Sequence, residues 1–189
     1  MIFNDTTDTT LGTQFSGAGS FDKKGSGSIL TLTGSSYFGA GTQITDGGLR
    51  VTGTVDGGAV TVTGNGSIGG TGRIGGDLAF QSGAIYKFVA GETLAVAGNT
   101  TFGGSFGIAN ISGVSSSTPE GTYTLISGNV NFTNVTNVGA SNAYDLGSGK
   151  TAYLQQGSLQ MVVVPEPATL SFIAAAGLAA LLFRQRRQG

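Results

Sequence analysis

Short stretches of alternating apolar and polar residues recur between glycine-containing turns in the first half of the chain. Successive side chains of a β-strand point to opposite faces, so this alternation predicts strands that are buried on one face. The clearest stretches are Ile29–Thr33, Leu49–Thr52, Ala59–Thr63 and Asp77–Phe80. No helical period of useful length occurs before Ala168, and the sequence therefore predicts an all-β body.

The spacing of these stretches suits a solenoid, in which successive coils stack along one axis. The apolar pairs Leu30/Leu32, Leu49/Val51 and Val60/Val62 follow one another at steps of 19 and 11 residues, the scale of whole or partial coils. We therefore expect a β-solenoid over residues 15–112 with one apolar stack inside. The residues predicted to face inward are Leu30, Leu32, Ile44, Leu49, Val51, Val60, Val62, Leu78 and Phe80.

Composition narrows the chemistry that is open to this chain. Glycine accounts for 35 of 189 residues and charged residues for 10%, yet hydrophobic residues reach 39%, which is not the composition of a disordered chain. The absence of cysteine and histidine removes disulfides, thiolate chemistry and the commonest general base and metal ligand. A net charge of −1 argues against nucleic acid as a partner. We expect no catalytic residue, no cofactor and no metal site.

Several local patterns have a binding interpretation beside a structural one. Gly64–Gly69 and Gly70–Gly75 both match the glycine spacing of a dinucleotide-binding loop, but neither opens a helix, so coil turns are the favoured interpretation. Turn aspartates could bind Ca²⁺ and strand tyrosines could stack on sugars, although turn formation and packing are favoured. These residues are Asp46, Asp56 and Asp77, and Tyr37, Tyr86 and Tyr123.

One stretch of about 25 residues carries a family resemblance. It runs through Gly27–Gly34, Ser35–Gly39, Thr42–Ile44 and Gly48–Val51. The stretch resembles an autotransporter-associated β-strand repeat, which implies a right-handed parallel β-helix like that of bacterial surface passengers. Only one clear copy is present and no C-terminal membrane barrel follows it, so we do not expect an autotransporter export route.

Residues 113–164 are less regular and are predicted to form a β-rich cap. Gly121–Ile126 is a strong strand candidate, and Tyr153–Val162 is predicted to be a hairpin around Gln156–Gly157 that closes the solenoid. Just before this region, Gly107–Ala109 is expected to continue the coils. Residues 113–121 are expected to be an exposed loop.

The C-terminal tail is predicted to hold one transmembrane helix. Ala168–Phe183 carries no charge and would rise about 24 Å as a helix, somewhat less than a hydrocarbon core of about 30 Å. Arg184, Arg186 and Arg187 follow at once and can extend the span by reaching the headgroups. Because cytoplasmic flanks are rich in arginine, the C-terminus is expected inside and residues 1–164 outside.

The order Pro165, Glu166, Pro167, then the apolar helix and the arginine cluster, resembles the PEP-CTERM sorting signal of Gram-negative bacteria. The resemblance implies an exosortase-type processing enzyme as partner, transient residence in the inner membrane, removal of the tail over residues 165–189, and delivery to the cell surface or extracellular matrix. A plain membrane anchor is the alternative for this segment.

The N-terminus and the activity complete the expectations. Residues 1–14 lack the basic and apolar regions of a signal peptide, so we expect this segment to be disordered or truncated, with a fragment or a late-assigned start as alternatives. The favoured function is a non-enzymatic surface or matrix protein, adhesive or contributing to biofilm, with extracellular polysaccharide as a candidate partner. The alternative is a β-helix enzyme, a lyase or glycosidase, which would need paired carboxylates or basic groups in a groove.

Overall fold

The computed structural model describes residues 1–166, and these residues form a parallel β-solenoid of about 5 turns that ends in an antiparallel sheet. Short strands separated by turns make up the coils. In chain order they are β1 (Ile2–Asn4), β2 (Thr9–Leu11), β3 (Ser16–Gly17), β4 (Phe21–Lys24), β5 (Ile29–Leu32), β6 (Ser35–Phe38), β7 (Thr42–Ile44), β8 (Gly48–Val51), β9 (Thr54–Gly57), β10 (Val60–Val62), β11 (Ser67–Gly69), β12 (Arg73–Ile74), β13 (Leu78–Phe80), β14 (Ile85–Lys87), β15 (Leu94–Phe102) and β16 (Ile111–Ser112).

Three columns of parallel strands form the faces of the solenoid. The first face stacks β1, β4, β7, β10 and β13; the second stacks β2, β5, β8, β11, β14 and β16; the third stacks β3, β6, β9 and β12. Strand β15 pairs with β12 through its beginning and with β13 through its end, so it runs around the corner between the third and first faces. Each coil therefore contributes one strand to each face before the next coil begins.

The register explains the two steps seen in the sequence. Leu30 lies beside Leu49 on the second face, so the step of 19 residues is one full coil. Val60 instead lies between Thr42 and Leu78 on the first face, so the shorter step passes β9 on the third face and covers only part of a coil. The interpretation as whole and partial coils is confirmed.

The core is one continuous apolar stack along the axis. All nine residues predicted to face inward are at most 1% exposed. Aromatic side chains reinforce the stack between coils, since the rings of Phe21 and Phe38 are stacked with centroids 4.9 Å apart and those of Phe80 and Phe102 with centroids 5.4 Å apart. Buried rings in this arrangement add stabilisation beyond their area.

Coil turns account for the second glycine-rich run. Gly70 has a φ of +121°, and a Cβ at this position would lie 2.1 Å from the carbonyl oxygen of Val51 on the preceding coil. Only glycine combines this conformation with so close an approach of two backbones. The run follows β11, turns the chain at Gly70–Gly72 into the short strand β12 and opens no helix, which confirms the interpretation as a coil turn.

Two expectations about chain segments are corrected. The prediction of disorder for residues 1–14 is wrong, because they contribute β1 and β2, which pair in parallel with β4 and β5, whereas truncation stays a prediction. Backbone pairing with the next coil holds these two strands in place although none of their side chains is fully buried. Gly107–Ala109 does not continue a coil strand, because the chain forms a 3-10 helix at Ile108–Asn110.

The last quarter of the described chain forms a sheet that grows from the final coil, which we call the C-terminal sheet. Its strands are β17 (Gly121–Val130), β18 (Tyr144–Gly147), β19 (Lys150–Gln155) and β20 (Leu159–Pro165). Strand β17 pairs in parallel with β15 and antiparallel with β20, and β19 lies between β20 and β18. The predicted hairpin around Gln156–Gly157 is present as β19 and β20, and β20 runs on to Pro165.

The C-terminal sheet shares its core with the solenoid. Leu125, Leu154 and Met161 are fully buried and belong to the same apolar cluster as the coil residues. Inside that cluster the hydroxyl of Tyr86 on β14 donates a hydrogen bond of 2.6 Å to the carbonyl oxygen of Leu125 on β17. The buried environment raises the pKa of Tyr86, because the phenolate would be desolvated there and Glu92 lies near it.

Candidate functional site

The first candidate region is the point where the chain leaves the fold. Pro165 is the last residue of β20 and lies opposite Lys150 on β19. The next residue, Glu166, donates its backbone N–H to the carbonyl oxygen of Gly149 at 2.9 Å. Both Pro165 and Glu166 are exposed to solvent at the edge of the sheet. The folded body thus continues without a spacer into the predicted sorting motif.

The remaining predicted residues of the tail lie outside the described part of the chain. These are Pro167, the apolar stretch Ala168–Phe183, and Arg184, Arg186 and Arg187. Within residues 1–166 the structure contains no helix with the length and apolarity needed to cross a bilayer.

Strand β19, which pairs with β20 at this exit, is also tied to the loop of residues 113–121. The ammonium of Lys150 donates to the carbonyl oxygen of Thr118 at 3.0 Å, which ties the start of β19 to the loop of residues 113–121. This loop is mostly exposed, as predicted, but Thr118 itself is buried. The hydroxyl of Tyr123 donates to the carbonyl oxygen of Pro119 at 2.7 Å and holds the loop against β17.

The second candidate region is a groove on the outer side of the second face. Leu30, Leu49, Ile68 and Tyr86 on this face point into the core, so the alternate residues point outward. Two outward positions are glycines, Gly48 and Gly69, and they leave a depression of about 170 Å³. A shallower cavity of about 330 Å³ adjoins it. We call the two together the face groove; the residues that line both cavities are Ile29, Gly48, Ser67 and Lys87.

Charged groups lie at one end of the face groove. Arg50 on β8 forms an ion pair with Glu92, whose side chain is 13% exposed. The second carboxylate oxygen of Glu92, Oε2, is buried and has no hydrogen-bond partner among residues 1–166. Lys87 and the exposed side chain of Val89 line the same cavity. The groove therefore offers cationic donors and an apolar surface, while the unused acceptor of Glu92 is enclosed.

The turn aspartates have local structural contacts. Asp46 accepts the backbone N–H of Gly47 at 2.9 Å, and Asp77 accepts that of Asn99 at 2.7 Å. Asp56 forms an ion pair of 2.9 Å with Arg73. Among residues 1–166 no three carboxylates cluster in a way that could hold a metal ion.

The three tyrosines considered for sugar stacking differ in exposure. Tyr86 is fully buried and Tyr123 is half-buried against Phe88, with ring centroids 5.1 Å apart. Tyr37 on β6 is 49% exposed, and its ring faces solvent on the third face. Packing accounts for the first two residues, and only Tyr37 leaves its ring accessible.

One buried charge could not be anticipated from the sequence. Lys23 on β4 is fully buried, and its ammonium donates to the hydroxyl of Ser28 at 3.0 Å and to the carbonyl oxygens of Lys24 and Gly25. Burial lowers the pKa of Lys23, and the carboxylates of Asp46, Asp5 and Asp8 offset part of that effect. The face groove was missed as well, although the outward positions of the predicted strands already indicated which residues would line it.

Comparison with known proteins identifies the sorting motif at the C-terminal exit. A family model described as the PEP-CTERM protein-sorting motif matches residues 163–187. The protein named "Adhesin BmaC autotransporter", from Brucella suis biovar 1 (strain 1330), is 40% identical over 82 residues, which are 42% of this chain and 2% of that protein. No solved structure matches. The chain thus carries a PEP-CTERM sorting motif at its C-terminus and a stretch similar to an autotransporter adhesin, on a parallel β-solenoid.

Proposed function

We propose that this chain is an exported structural and adhesive protein of the cell surface or extracellular matrix, sorted and cleaved by an exosortase-type enzyme. The observation that carries this proposal is the position of the sorting motif, which begins at residue 163, in the last strand of the fold. Similarity to an adhesin supports the adhesive role. A contribution to biofilm follows as part of the same proposal.

The proposed route passes through the inner membrane. Ala168–Phe183 would cross it, with Arg184, Arg186 and Arg187 on the cytoplasmic side. The body would then lie outside the cytoplasm, and cleavage at Pro165, Glu166 or Pro167 would release it from the helix.

The proposed organisation follows the expected segments, with one extension. We propose a right-handed solenoid over residues 15–112, a cap over 113–164 and a sorting segment over 165–189. Right-handed winding is supported by the strong preference of parallel strand crossovers for that hand. Strands β1 and β2 extend the solenoid toward the N-terminus, into residues 1–14.

We propose that the face groove binds a sugar unit of an acidic extracellular polysaccharide. The ammonium of Lys87 and the guanidinium of Arg50, whose side chain is 40% exposed, would donate to oxygen atoms of the sugar. Around the cavity of about 170 Å³, Lys87 and Arg50 outnumber Glu92 in formal charge, which favours a carboxylate on a ligand bound in that cavity, whereas Asp46 lines the adjoining cavity. The apolar side chains of Ile29 and Val89 provide a surface for the ring carbons.

Binding of polyuronate and neutral polysaccharide to the full-length chain in detergent tests this part. Lys87→Ala should weaken polyuronate binding about tenfold, the scale of one charge-assisted hydrogen bond. Arg73→Ala is the matched control, because Arg73 is exposed and ion-paired but lies on the third face. Equal loss with both variants, or equal affinity for neutral and acidic polymers, would contradict the groove as an acidic-sugar site.

Intact mass of the cell-associated and released protein tests the sorting proposal, in a host that carries the processing enzyme. The mature form should lack residues 168–189, whereas Glu166→Gln should keep the full-length chain in the membrane. A plain anchor would tolerate that substitution without a change in mature mass. Retention of the tail by the unmodified chain would refute the proposal, provided that another substrate of the same enzyme is processed.

A further inference from the structure

We infer that the C-terminal sheet holds the start of the sorting motif closed, so that processing requires the end of β20 to separate from β19. The inference rests on the proposed processing. It starts from an overlap: the sorting motif matches from residue 163, while β20 continues to Pro165. Part of the linear motif is therefore also part of the folded sheet.

The pairing in this overlap is specific. Val163, Val164 and Pro165 lie opposite Ala152, Thr151 and Lys150 of β19. The hydrogen bond from the Glu166 N–H to the Gly149 carbonyl oxygen then extends the contact by one residue. An enzyme that binds its substrate as an extended chain needs these same backbone groups. The fold and the enzyme thus compete for one segment.

Only the contact of β20 with β19 has to break to free the start of the sorting motif. On the other edge of β20, the pairing with β17 ends where Val163 lies opposite Gly121. Beyond Val163, β20 therefore has β19 as its strand partner. Pro165 has no N–H to donate to the ladder, which makes this end weaker than a regular strand end. Separation of Pro165 and Glu166 from β19 leaves the buried part of β20 in place.

The β19 side of the contact is fixed more firmly than the β20 side. A tight turn precedes β19, in which Ser148 and Gly149 have φ values of +55° and +71°. The Lys150 ammonium ties the strand to Thr118, which is buried. Gly149 and Lys150 are therefore positioning residues, because they determine where the sorting motif lies without belonging to it.

A spacer experiment tests the closed state in the full-length chain. We would insert about ten Gly/Ser residues between Val164 and Pro165, which gives a flexible link of about 17 Å. The same insertion between Gln156 and Gly157, both exposed in the hairpin turn, is the matched control. The first insertion should accelerate processing about 2- to 10-fold, the factor that corresponds to one net hydrogen bond, and the control should not.

Lys150→Met distinguishes weaker pairing of β20 with β19 from the greater distance that the spacer puts between the folded body and the membrane. The variant keeps the length of the chain and the whole sorting motif but loses the hydrogen bond to Thr118. If closure limits processing, Lys150→Met should also accelerate it. If the spacer accelerates processing and Lys150→Met leaves the rate unchanged, distance rather than closure is limiting and the inference is wrong.

A disulfide between β19 and β20 tests the opposite change, in which the two strands cannot separate. The natural chain has no cysteine, and Thr151 and Val164 lie directly opposite each other, within the range of a cross-strand disulfide. The oxidised Thr151→Cys/Val164→Cys variant should be processed at least about tenfold more slowly than its reduced form, and the single variants should not respond to reductant. Equal rates in both redox states would overturn the inference. If even the unmodified chain is never processed beside a working substrate, it is the proposed function that fails.

Discussion

The hydrogen bond between Tyr86 and Leu125 provides a test of whether the solenoid and the C-terminal sheet form one cooperative unit. Tyr86→Phe removes the donor and leaves the Leu125 carbonyl oxygen buried, with Leu125 itself fully buried. A buried polar group that loses its partner costs about 1–3 kcal/mol. We expect the free energy of unfolding to fall by about 2 kcal/mol.

The size of the effect can be calibrated within the same chain. Tyr123 makes a similar bond, 2.7 Å long, to the carbonyl oxygen of Pro119, but at an exposed position where water can replace the hydroxyl. Tyr123→Phe should therefore cost no more than about 0.5–1 kcal/mol. The difference between the two variants cancels whatever loss of stability any tyrosine-to-phenylalanine change causes and leaves the cost of the buried hydrogen bond.

Urea unfolding of the full-length chain in detergent, followed by far-ultraviolet circular dichroism, measures both variants. For an m-value near 2 kcal/mol/M, Tyr86→Phe should lower the midpoint by about 1 M in a single transition. Equal shifts for the two variants would refute the claim that the Tyr86 bond is buried. A Tyr86→Phe transition that splits into two would show instead that the C-terminal sheet unfolds apart from the coils.

Three further predictions concern the core, a buried charge and topology. Val60→Asp should lower the free energy of unfolding by about 3–5 kcal/mol, because Val60 is 1% exposed and the new charge would be buried without a partner. Thr61 points outward on the same strand, so Thr61→Asp should cost little in the same urea titration. Because the pKa of Lys23 is lower in the folded chain than its ordinary value of 10.5, the unfolded chain binds more protons between the two pKa values. The free energy of unfolding should therefore rise with pH in this range. Urea midpoints measured up to about pH 10 should show this rise, and Lys23→Met should abolish it. A membrane-impermeant lysine reagent should label Lys87 and Lys150 in intact spheroplasts; labelling only after lysis would reverse the proposed topology.

Alternation along the strands was enough to predict the core of the solenoid. A strand buried on one face must place every second residue inside, so Leu30, Leu49 and Val60 could be assigned without a structure. The glycine turns between the stretches could be assigned for a similar local reason, since tight coil corners need glycine. The order of features in the tail was equally local, and it led to the sorting motif.

Features that depend on contacts between distant coils could not be predicted in this way. Lys23 occupies an inward position beside Ile44, and its burial depends on carbonyl oxygens that a turn brings to the corner. The path of β15 around a corner depends on two partner strands at once. The predicted hairpin around Gln156–Gly157 fixes the register of β19 and β20, but the sequence did not show that their pairing continues to Lys150 and Pro165.

The position of β20 between two antiparallel neighbours has a mechanical consequence. A force that draws Glu166 outward along β20 acts parallel to both ladders, the one with β17 and the one with β19. Such a force loads the ladder hydrogen bonds together in shear instead of breaking them one after another, and resistance to forced unfolding is set by the rate at which the strand escapes. If the tail is anchored in a membrane before processing, as proposed, a pull along β20 would meet the strongest direction of this sheet, while a pull away from β19 would open Pro165 and Glu166 first.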